Sequence, residues 1–290
     1  MGNIQQSFLV GLIGAGIQAS RTPAMHEREG AEQGLLYLYK LIDFEKLALG
    51  AHALPDLLTA AERMGFAGLN ITYPCKQLVI PHLSDLSDDA RALGAVNTVV
   101  LRDGKRIGHN TDWYGFAESF RRGLPDVKRD RVVQLGAGGA GAAVAHAALT
   151  LGVKQLTLFD LDASRTKRLA ADLAARFGEG RATPVADLGG AMAESDGLIH
   201  ATPTGMAKHP GLPLPATFLR PELWVAEIVY FPLETELLRT AKGIGCRTLN
   251  GGGMAVFQAA EAFRLFTGIA PDADRMLRHF NSMGTGQARI

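Results

Sequence analysis

Gly136, Gly138 and Gly141 stand at the G-x-G-x-x-G spacing, directly after an apolar run at 132–135 and before a stretch of small residues at 142–150. Strand, turn and helix in that order suit pyrophosphate binding. The first glycine permits the tight turn, the second lets backbone approach the phosphates, and the third lets the helix pack close to the strand. The helix start adds free N–H groups and the positive end of its dipole. A glycine pattern alone is weak, because an ordinary tight strand-to-helix turn produces it too. Here a second apolar run, Gln155–Phe159, follows and ends in Asp160, at about the 20-residue distance where a carboxylate can hold a ribose hydroxyl. The chemistry implied is dinucleotide binding by Gly136, Ala137, Gly138, Gly139, Ala140 and Gly141, with Asp160 on the adenosine ribose. A carboxylate there repels a 2′-phosphate, which favours NAD over NADP. Arg165 could meet such a phosphate, but Asp162 competes for its charge, so Arg165 is expected against the adenine or ribose.

Other residues have types suited to a small polar substrate. Lys76 follows a strand at 68–72 across Tyr73 and Pro74. A lysine is ordinarily a solvated surface charge, but one at a strand end beside Asn70 and Thr72 stands where open α/β sheets bind ligands. Ser20 and Thr22 follow a strand at 8–13 in the same way; the plainer alternative is helix capping. Asn97 lies near the start of a strand at 94–100. Asp112 closes a small polar cluster at 108–112 ahead of a helix at 113–122. It reads either as that helix's N-cap or as a carboxylate facing the same place as Lys76, and spacing leaves both open. Thr202 ends a buried run at 197–201 in a turn suited to lie over a nicotinamide. Gly14, Gly16 and Ala19 form a decoy: they fit the G-x-G-x-x-A variant, and the strand at 37–42 also ends in an acid, Asp43. Pro23 interrupts the helix start that phosphate binding needs, so this turn is expected to serve the substrate.

The elements that must hold these residues alternate. Strands near 132, 155, 182, 197, 224 and 246, separated by helical stretches at 142–150, 165–176, 188–194 and 235–242, give the pattern of a doubly wound parallel sheet. The first part of the chain alternates too, with helices at 54–64 and 83–93. A long amphipathic helix at 254–267 is placed to return and complete that first part. The expected fold class is α/β with two domains: a substrate-binding catalytic domain of 1–112 with 256–290, and a Rossmann-type dinucleotide-binding domain of 113–255. A cleft between them would be a common setting for small-molecule sites.

The 290 residues are 47% hydrophobic and 20% charged, with a formal net charge of +1. A large core is available, and no basic run points to nucleic acid. The cysteines, Cys75 and Cys246, make no metal or redox spacing, so no metal is expected. The short apolar segment at 8–13 has neither a basic flank nor a cleavage-type ending. The expectation is a cytoplasmic protein without a membrane span, a monomer or homodimer whose partner is a small molecule.

At these residues the sequence resembles the shikimate dehydrogenase family, more closely its quinate/shikimate branch, over nearly the whole chain. The stretch 20–26, with Ser20 and Thr22, is similar to the family's substrate-carboxylate motif. The stretch 70–76, ending in Lys76, resembles its catalytic-lysine motif. Residues 94–98 and 110–112 are similar to the segments that carry a substrate-binding Asn and a catalytic Asp, here Asn97 and Asp112. The glycine loop at 136–141 and the turn at 201–206 resemble its two cofactor turns. Residues 251–254, with Gln258 beyond, resemble its closing motif. The resemblance implies hydride transfer between a hydroxyl-bearing ring carbon and a nicotinamide, with Lys76 and Asp112 handling the proton. Ser20, Thr22, Thr72, Asn97, Tyr230 and Gln258 would bind substrate; Thr202, Ile228 and Gly251 would join the loop residues around cofactor. Three departures stand out: Asp160, Leu161 and Asp162 replace the Asn-Arg-Thr of NADP-using members, Thr22 stands where biosynthetic members usually have Ser, and Gly251 to Gly253 is plainer than the usual closing motif.

The implied reaction interconverts shikimate and 3-dehydroshikimate, quinate and 3-dehydroquinate, or both. An alternative within the fold is a dehydrogenase of an amino-shikimate or related cyclohexane carboxylate. A nucleotide-sensing regulator without turnover is opposed by the presence of both Lys76 and Asp112. A methylene-tetrahydrofolate-type dehydrogenase would rest on fold analogy alone.

Overall fold

Apolar runs that are buried on both faces are the residues that build parallel sheets, and two such sheets organise the chain. The computed structural model describes residues 5–283. In order, its elements are β1 (Ser7–Gly14), α1 (Thr22–Glu32), β2 (Leu36–Asp43), α2 (Phe44–Leu47), α3 (Leu54–Arg63), β3 (Gly68–Ile71), α4 (Cys75–Leu78), β4 (Asp85–Leu86), α5 (Asp88–Leu93), β5 (Thr98–Arg102) and β6 (Lys105–His109). The chain continues through α6 (Asp112–Gly123), β7 (Arg131–Leu135), α7 (Gly139–Thr150), β8 (Gln155–Phe159), α8 (Ala163–Phe177), β9 (Ala182–Pro184), α9 (Leu188–Ala193), β10 (Gly197–His200), β11 (Trp224–Glu227), α10 (Glu236–Ile244), β12 (Arg247–Leu249), α11 (Gly252–Thr267) and α12 (Ala273–Ser282). It divides into two compact units. One runs to Thr111 and resumes at Gln258; the other is Asp112–Phe257.

In the second unit the strand order is β9-β8-β7-β10-β11-β12, parallel throughout. This is the 3-2-1-4-5-6 winding of dinucleotide-binding folds, and its order reverses between β7 and β10. Neighbouring strand residues feed opposite cores. Val132, Leu156, Ile199 and Trp224 pack with Val144, Ala147 and Ala148 of α7. Val133, Leu198 and Val225 pack with Leu237 and Leu238 of α10 on the other face. The alanines of α7 are what allow a helix to lie so close to its strands. Asp162, Asp187 and Thr235 cap α8, α9 and α10 with their side chains, each satisfying an N–H that the first turn leaves unpaired.

The first unit carries a mixed sheet in the order β2-β1-β3-β5-β6-β4. β1, β2 and β3 run parallel, while β5 is antiparallel to both β3 and β6. β5 and β6 form a hairpin whose turn residues, Asp103 and Gly104, have φ of 52° and 68°, as a type I′ turn demands. The structure differs from the sequence expectations at three elements. The helix expected at 83–93 is confined to α5, because Ser84 and Ser87 donate their N–H groups to Arg106 and Gly108 of β6. Ser87 then N-caps α5 through Ala90. β6 itself is missing from the sequence reading, since Lys105, Arg106, Gly108 and His109 lack an apolar period. α12 was not anticipated either. The buried carboxylate of Glu29 holds it to α1 by accepting Arg275 Nε at 2.9 Å, Arg275 Nη2 at 2.7 Å and the Asp272 N–H at 2.8 Å.

No helix among the described residues is long and apolar enough to cross a membrane. No group of three or more His, Cys, Asp or Glu among them is arranged to hold a metal ion.

Candidate active site

In the first unit the backbone gathers Thr72, Lys76 and Asn97 at one end of the sheet. The Thr72 N–H extends the β1–β3 pairing to Ile13 at 3.0 Å, and the Ala15 N–H reaches Tyr73 O at 2.9 Å. The Cys75 N–H turns back to Thr72 O and starts α4, which carries half-buried Lys76. Lys76 O then accepts the Val96 N–H at 2.8 Å, and Asn97 O accepts the Ile71 N–H at 2.8 Å. Ser20 and Thr22 lie on the loop that leaves β1, both half-buried, with the Thr22 N–H donated to Ser20 Oγ at 3.3 Å. Thr22 is the first residue of α1. Gln258 is half-buried on α11, one turn before Ala262 and two before Phe266, which pack on the sheet. His26, last of the stretch beginning at Ser20, lies fully inside the core among Tyr37, Tyr39, Phe263 and Phe266.

A buried chain of polar side chains crosses this sheet to Asn97. Tyr39 Oη donates to Asn70 Oδ1 at 2.7 Å, Asn70 Nδ2 to Thr98 Oγ1 at 3.0 Å, and Thr98 Oγ1 to Asn97 Oδ1 at 3.1 Å. The Thr111 N–H meets the same Asn97 oxygen at 2.7 Å. Asn70 entered the sequence analysis only as a neighbour of Lys76, and Tyr39 not at all; the pairings of β1 with β2 and β3, and of β3 with β5, that line up Tyr39, Asn70 and Thr98 are not local signals.

The glycine turn near β1 is a decoy for a visible reason. Asp43, at the end of β2, accepts the N–H groups of Gly16 at 3.0 Å and Ile17 at 3.1 Å, and Gln18 Nε2 at 2.9 Å. Burial pushes the Asp43 carboxyl up, but hydrogen bonds from Gln18, Glu45, Gly16 and Ile17 outweigh it and hold the group below its ordinary value. The chain's own carboxylate thus fills the anion position, and α1 begins only at Thr22.

In the second unit the other glycine turn is open. Gly136 takes a φ of 97°, which glycine alone adopts without cost, and a Cβ on it would strike Ala201 O. A Cβ on Gly141 would strike Gly136 O, whereas one on Gly138 or Gly139 would meet no heavy atom within 4 Å. α7 starts at Gly139, earlier than the expected 142, so Gly139, Ala140 and Gly141 form its first turn, and Gly138 as N-cap offers no side-chain cap. Gly136 and Gly141 thus have the steric need that their spacing implies, and Gly138 and Gly139 leave an open face beside the N-terminus of α7. Gln134, unnoticed in the sequence, braces the turn from below by donating Nε2 to Gly136 O at 2.9 Å and Gly141 O at 2.8 Å.

Asp160 stands at the end of β8, where its Oδ2 accepts the Ala137 N–H at 2.8 Å and its Oδ1 accepts the Asp162 N–H at 3.0 Å. Arg165 is exposed and paired with Asp162 at 3.4 Å. The Asp162 carboxyl is held below its usual value, first by its hydrogen bond from the Ser164 hydroxyl and then by the Ser164 N–H. Thr202 follows β10 against Gly136. Ile228 follows β11, its N–H on His200 O at 3.1 Å, and Gly251 packs so closely on Ile228 O that no Cβ would fit. Tyr230, two residues on, is exposed. Asp112 is buried in this unit as the first residue of α6; Lys76 belongs to the first unit.

Comparison with known proteins bears on this arrangement. Residues 12–99 match the shikimate dehydrogenase substrate binding domain, and residues 251–279 match the shikimate 5'-dehydrogenase C-terminal domain. The chain is 60% identical to the shikimate dehydrogenase (NADP(+)) of Streptomyces avermitilis, over 98% of this chain and 99% of that one. The chain belongs to the shikimate dehydrogenase family. As a member it is an NAD(P)-dependent oxidoreductase, with the two-domain Rossmann architecture of that family. It is also 49% identical to the quinate/shikimate dehydrogenase (NAD(+)) of Corynebacterium efficiens, over 96% of this chain and 99% of that one. Among solved structures, the quinate dehydrogenase of Corynebacterium glutamicum in complex with NAD superposes with a TM-score of 0.91 at 47% identity, covering 96% of this chain and 100% of that one. These family relatives carry both nicotinamide cofactors, so a pyridine nucleotide is common ground and its 2′-phosphate is not.

Proposed function

We propose that this enzyme is an NAD-dependent quinate/shikimate dehydrogenase that interconverts shikimate with 3-dehydroshikimate and quinate with 3-dehydroquinate. The observation that carries the cofactor choice is Asp160, a carboxylate at the end of β8 bonded to the glycine turn. In that place it accepts ribose hydroxyls and repels a 2′-phosphate. Residues 136–141, Thr202, Ile228 and Gly251 would hold the nucleotide, with Arg165 at its adenosine end. The nicotinamide, when bound, supplies the hydride acceptor or donor at C4.

The chain's own residues bind the acid, orient it and move one proton. Ser20 and Thr22 hydrogen-bond the substrate carboxylate; Thr72, Asn97, Tyr230 and Gln258 take the ring hydroxyls. Oxidation removes a hydride from the ring carbon and a proton from its hydroxyl, and Lys76 Nζ with the Asp112 carboxylate takes that proton. The substrate side comprises residues 1–112 with 256–290 and the nucleotide side 113–255, in a cytoplasmic monomer or homodimer. A second reading, NADP with shikimate, is favoured by the 60% identity to the Streptomyces avermitilis protein. Measuring kcat/KM for quinate, shikimate and an amino analogue, each with NAD and with NADP, separates the two. A higher kcat/KM with NADP refutes the cofactor assignment, and an amino analogue exceeding both acids refutes the substrate assignment.

A further inference from the structure

The ends of β10 and β11 are joined by a buried hydrogen-bonded couple for which the reaction outlined above has no use. His200 and Glu227 are neighbours in the β10–β11 register, with side chains fully removed from solvent. His200 Nδ1 lies 2.9 Å from both carboxylate oxygens of Glu227. The same carboxylate accepts the Val229 N–H at 2.9 Å and Thr235 Oγ1 at 3.1 Å. An acceptor surrounded by donors on three sides requires the His200 proton on Nδ1. On its other edge His200 Nε2 lies 2.5 Å from Thr202 Oγ1, and that oxygen also accepts the Thr204 N–H at 3.3 Å.

We propose that His200 and Glu227 are positioning residues for the nicotinamide: together they fix which way the Thr202 hydroxyl points and tie it to the segment that carries Ile228 and Tyr230. Counting donors around Glu227 puts a proton on Nδ1. With that as the ring's one proton, Nε2 accepts the Thr202 hydroxyl proton. One Oγ1 lone pair meets Thr204 and one remains, so Thr202 is presented as an acceptor. A rotating hydroxyl would have offered donor and acceptor alternately. Thr202 stands at the reversal point between β7 and β10, against Gly136, where this winding binds its ligand. Glu227 holds the next strand end through the Val229 N–H and the α10 N-cap through Thr235, so both rims move as one piece.

This inference rests on the nucleotide reading for its consequence but not for its geometry, and the test separates them. Glu227→Gln keeps the side-chain volume and replaces one acceptor oxygen with an NH2 group. Where that NH2 group faces the imidazole, Nδ1 must accept and the ring proton moves to Nε2, which reverses the hydrogen bond to Thr202; the hold of the carboxylate on one tautomer is lost. Histidine side-chain 15N NMR of the full chain without nucleotide reads this directly: His200 is protonated on Nδ1 in the wild type, and an Nε2-protonated population appears in the variant. NADH binding by calorimetry and kcat/KM for the nucleotide are then measured for Glu227→Gln, the isosteric Thr202→Val and the double variant. Each single change is expected to cost about tenfold, the equivalent of one hydrogen bond. The double is expected to fall within about threefold of the worse single, because both break the same link. A wild-type His200 carrying a proton on Nε2, alone or together with one on Nδ1, or losses that multiply in the double variant, overturns the proposal. If wild type binds no NADH, the nucleotide reading fails, and the NMR result still decides the His200–Thr202 link.

Discussion

The carboxylate of Asp160 is fastened to Ala137: Oδ2 accepts that residue's N–H at 2.8 Å, so the end of β8 and the glycine turn after β7 are held in one register. A group fixed in this way cannot swing aside for a 2′-phosphate. Two unit charges 4 Å apart repel by roughly 4 kcal/mol at an effective dielectric of 20, less at a solvated rim. Arg165, five residues on, is paired with Asp162. NAD should be preferred over NADP by roughly one to three decades in kcat/KM, on about 1.4 kcal/mol per decade. Asp160→Asn should narrow that ratio. A wild type that prefers NADP means Arg165 dominates, and an unmoved ratio in the variant means Asp160 does not face the ribose.

Lys76→Ala should lower kcat far more than it weakens substrate binding, by about 10²- to 10⁴-fold, the usual contribution of a general acid–base group. Lys76 is fixed by its place on α4 between Thr72 and Val96. Asp112→Ala should be comparably impaired, and the double variant little worse than either single, since groups that act as a unit are not additive. Steady-state kinetics with saturating substrate checks this. A Lys76→Ala enzyme with near-normal kcat would remove lysine from the chemistry.

Residues whose purpose is local were legible in the sequence, and residues whose purpose depends on strand register were not. Gly136, Gly138 and Gly141 declare themselves because turn, approach and packing are decided within a few residues. The strands of the second unit read clearly because Val132, Leu156, Leu198 and Val225 are covered on both faces. β6 was missed because it borders short β4 and exposes Lys105, so no apolar period marks it. His200 and Glu227 lie far apart in sequence, and only the pairing of β10 with β11 makes them a couple. Asp43 shows the converse: a glycine turn and a strand-end acid matched the binding pattern, but the acid fills the turn itself.

Acid should destabilise the first unit through His26. This ring is fully buried, with Nδ1 on Tyr37 Oη at 2.9 Å and no partner for Nε2 among the described residues. Burial lowers its pKa from 6.5 to about 3. The unfolded chain therefore gains a proton as pH falls through about 6.5 while the folded chain gains none until about 3. Stability contributed by the neutral ring is full above the unfolded value and is lost across that window, at up to about 1.4 kcal/mol per pH unit. Urea unfolding of wild type and His26→Phe at pH 7 and pH 5 isolates the effect: the variant should lose less on acidification. Equal losses would mean another group carries the acid sensitivity.

Gly138 and Gly141 should fail in different ways. Gly138 has a φ of −78°, which any residue adopts, and a Cβ there meets no heavy atom within 4 Å. Gly138→Ala should change stability by no more than about 1 kcal/mol, the cost of a poorer N-cap. Its methyl, however, stands in the space that the second fingerprint glycine leaves for the pyrophosphate, so nucleotide affinity should fall by at least about tenfold. Gly141→Ala drives a methyl onto Gly136 O, which is backbone and cannot rotate away. Either α7 or the turn must move, at about 1–3 kcal/mol, and the loss should appear with or without nucleotide. Thermal unfolding with and without NADH, together with NADH titration, reads both axes. Gly138→Ala should lose the stabilisation that NADH gives the wild type while keeping the wild-type midpoint without it. If Gly138→Ala binds NADH as the wild type does, the phosphates do not lie over this turn, and the role given to the helix start of α7 falls with it.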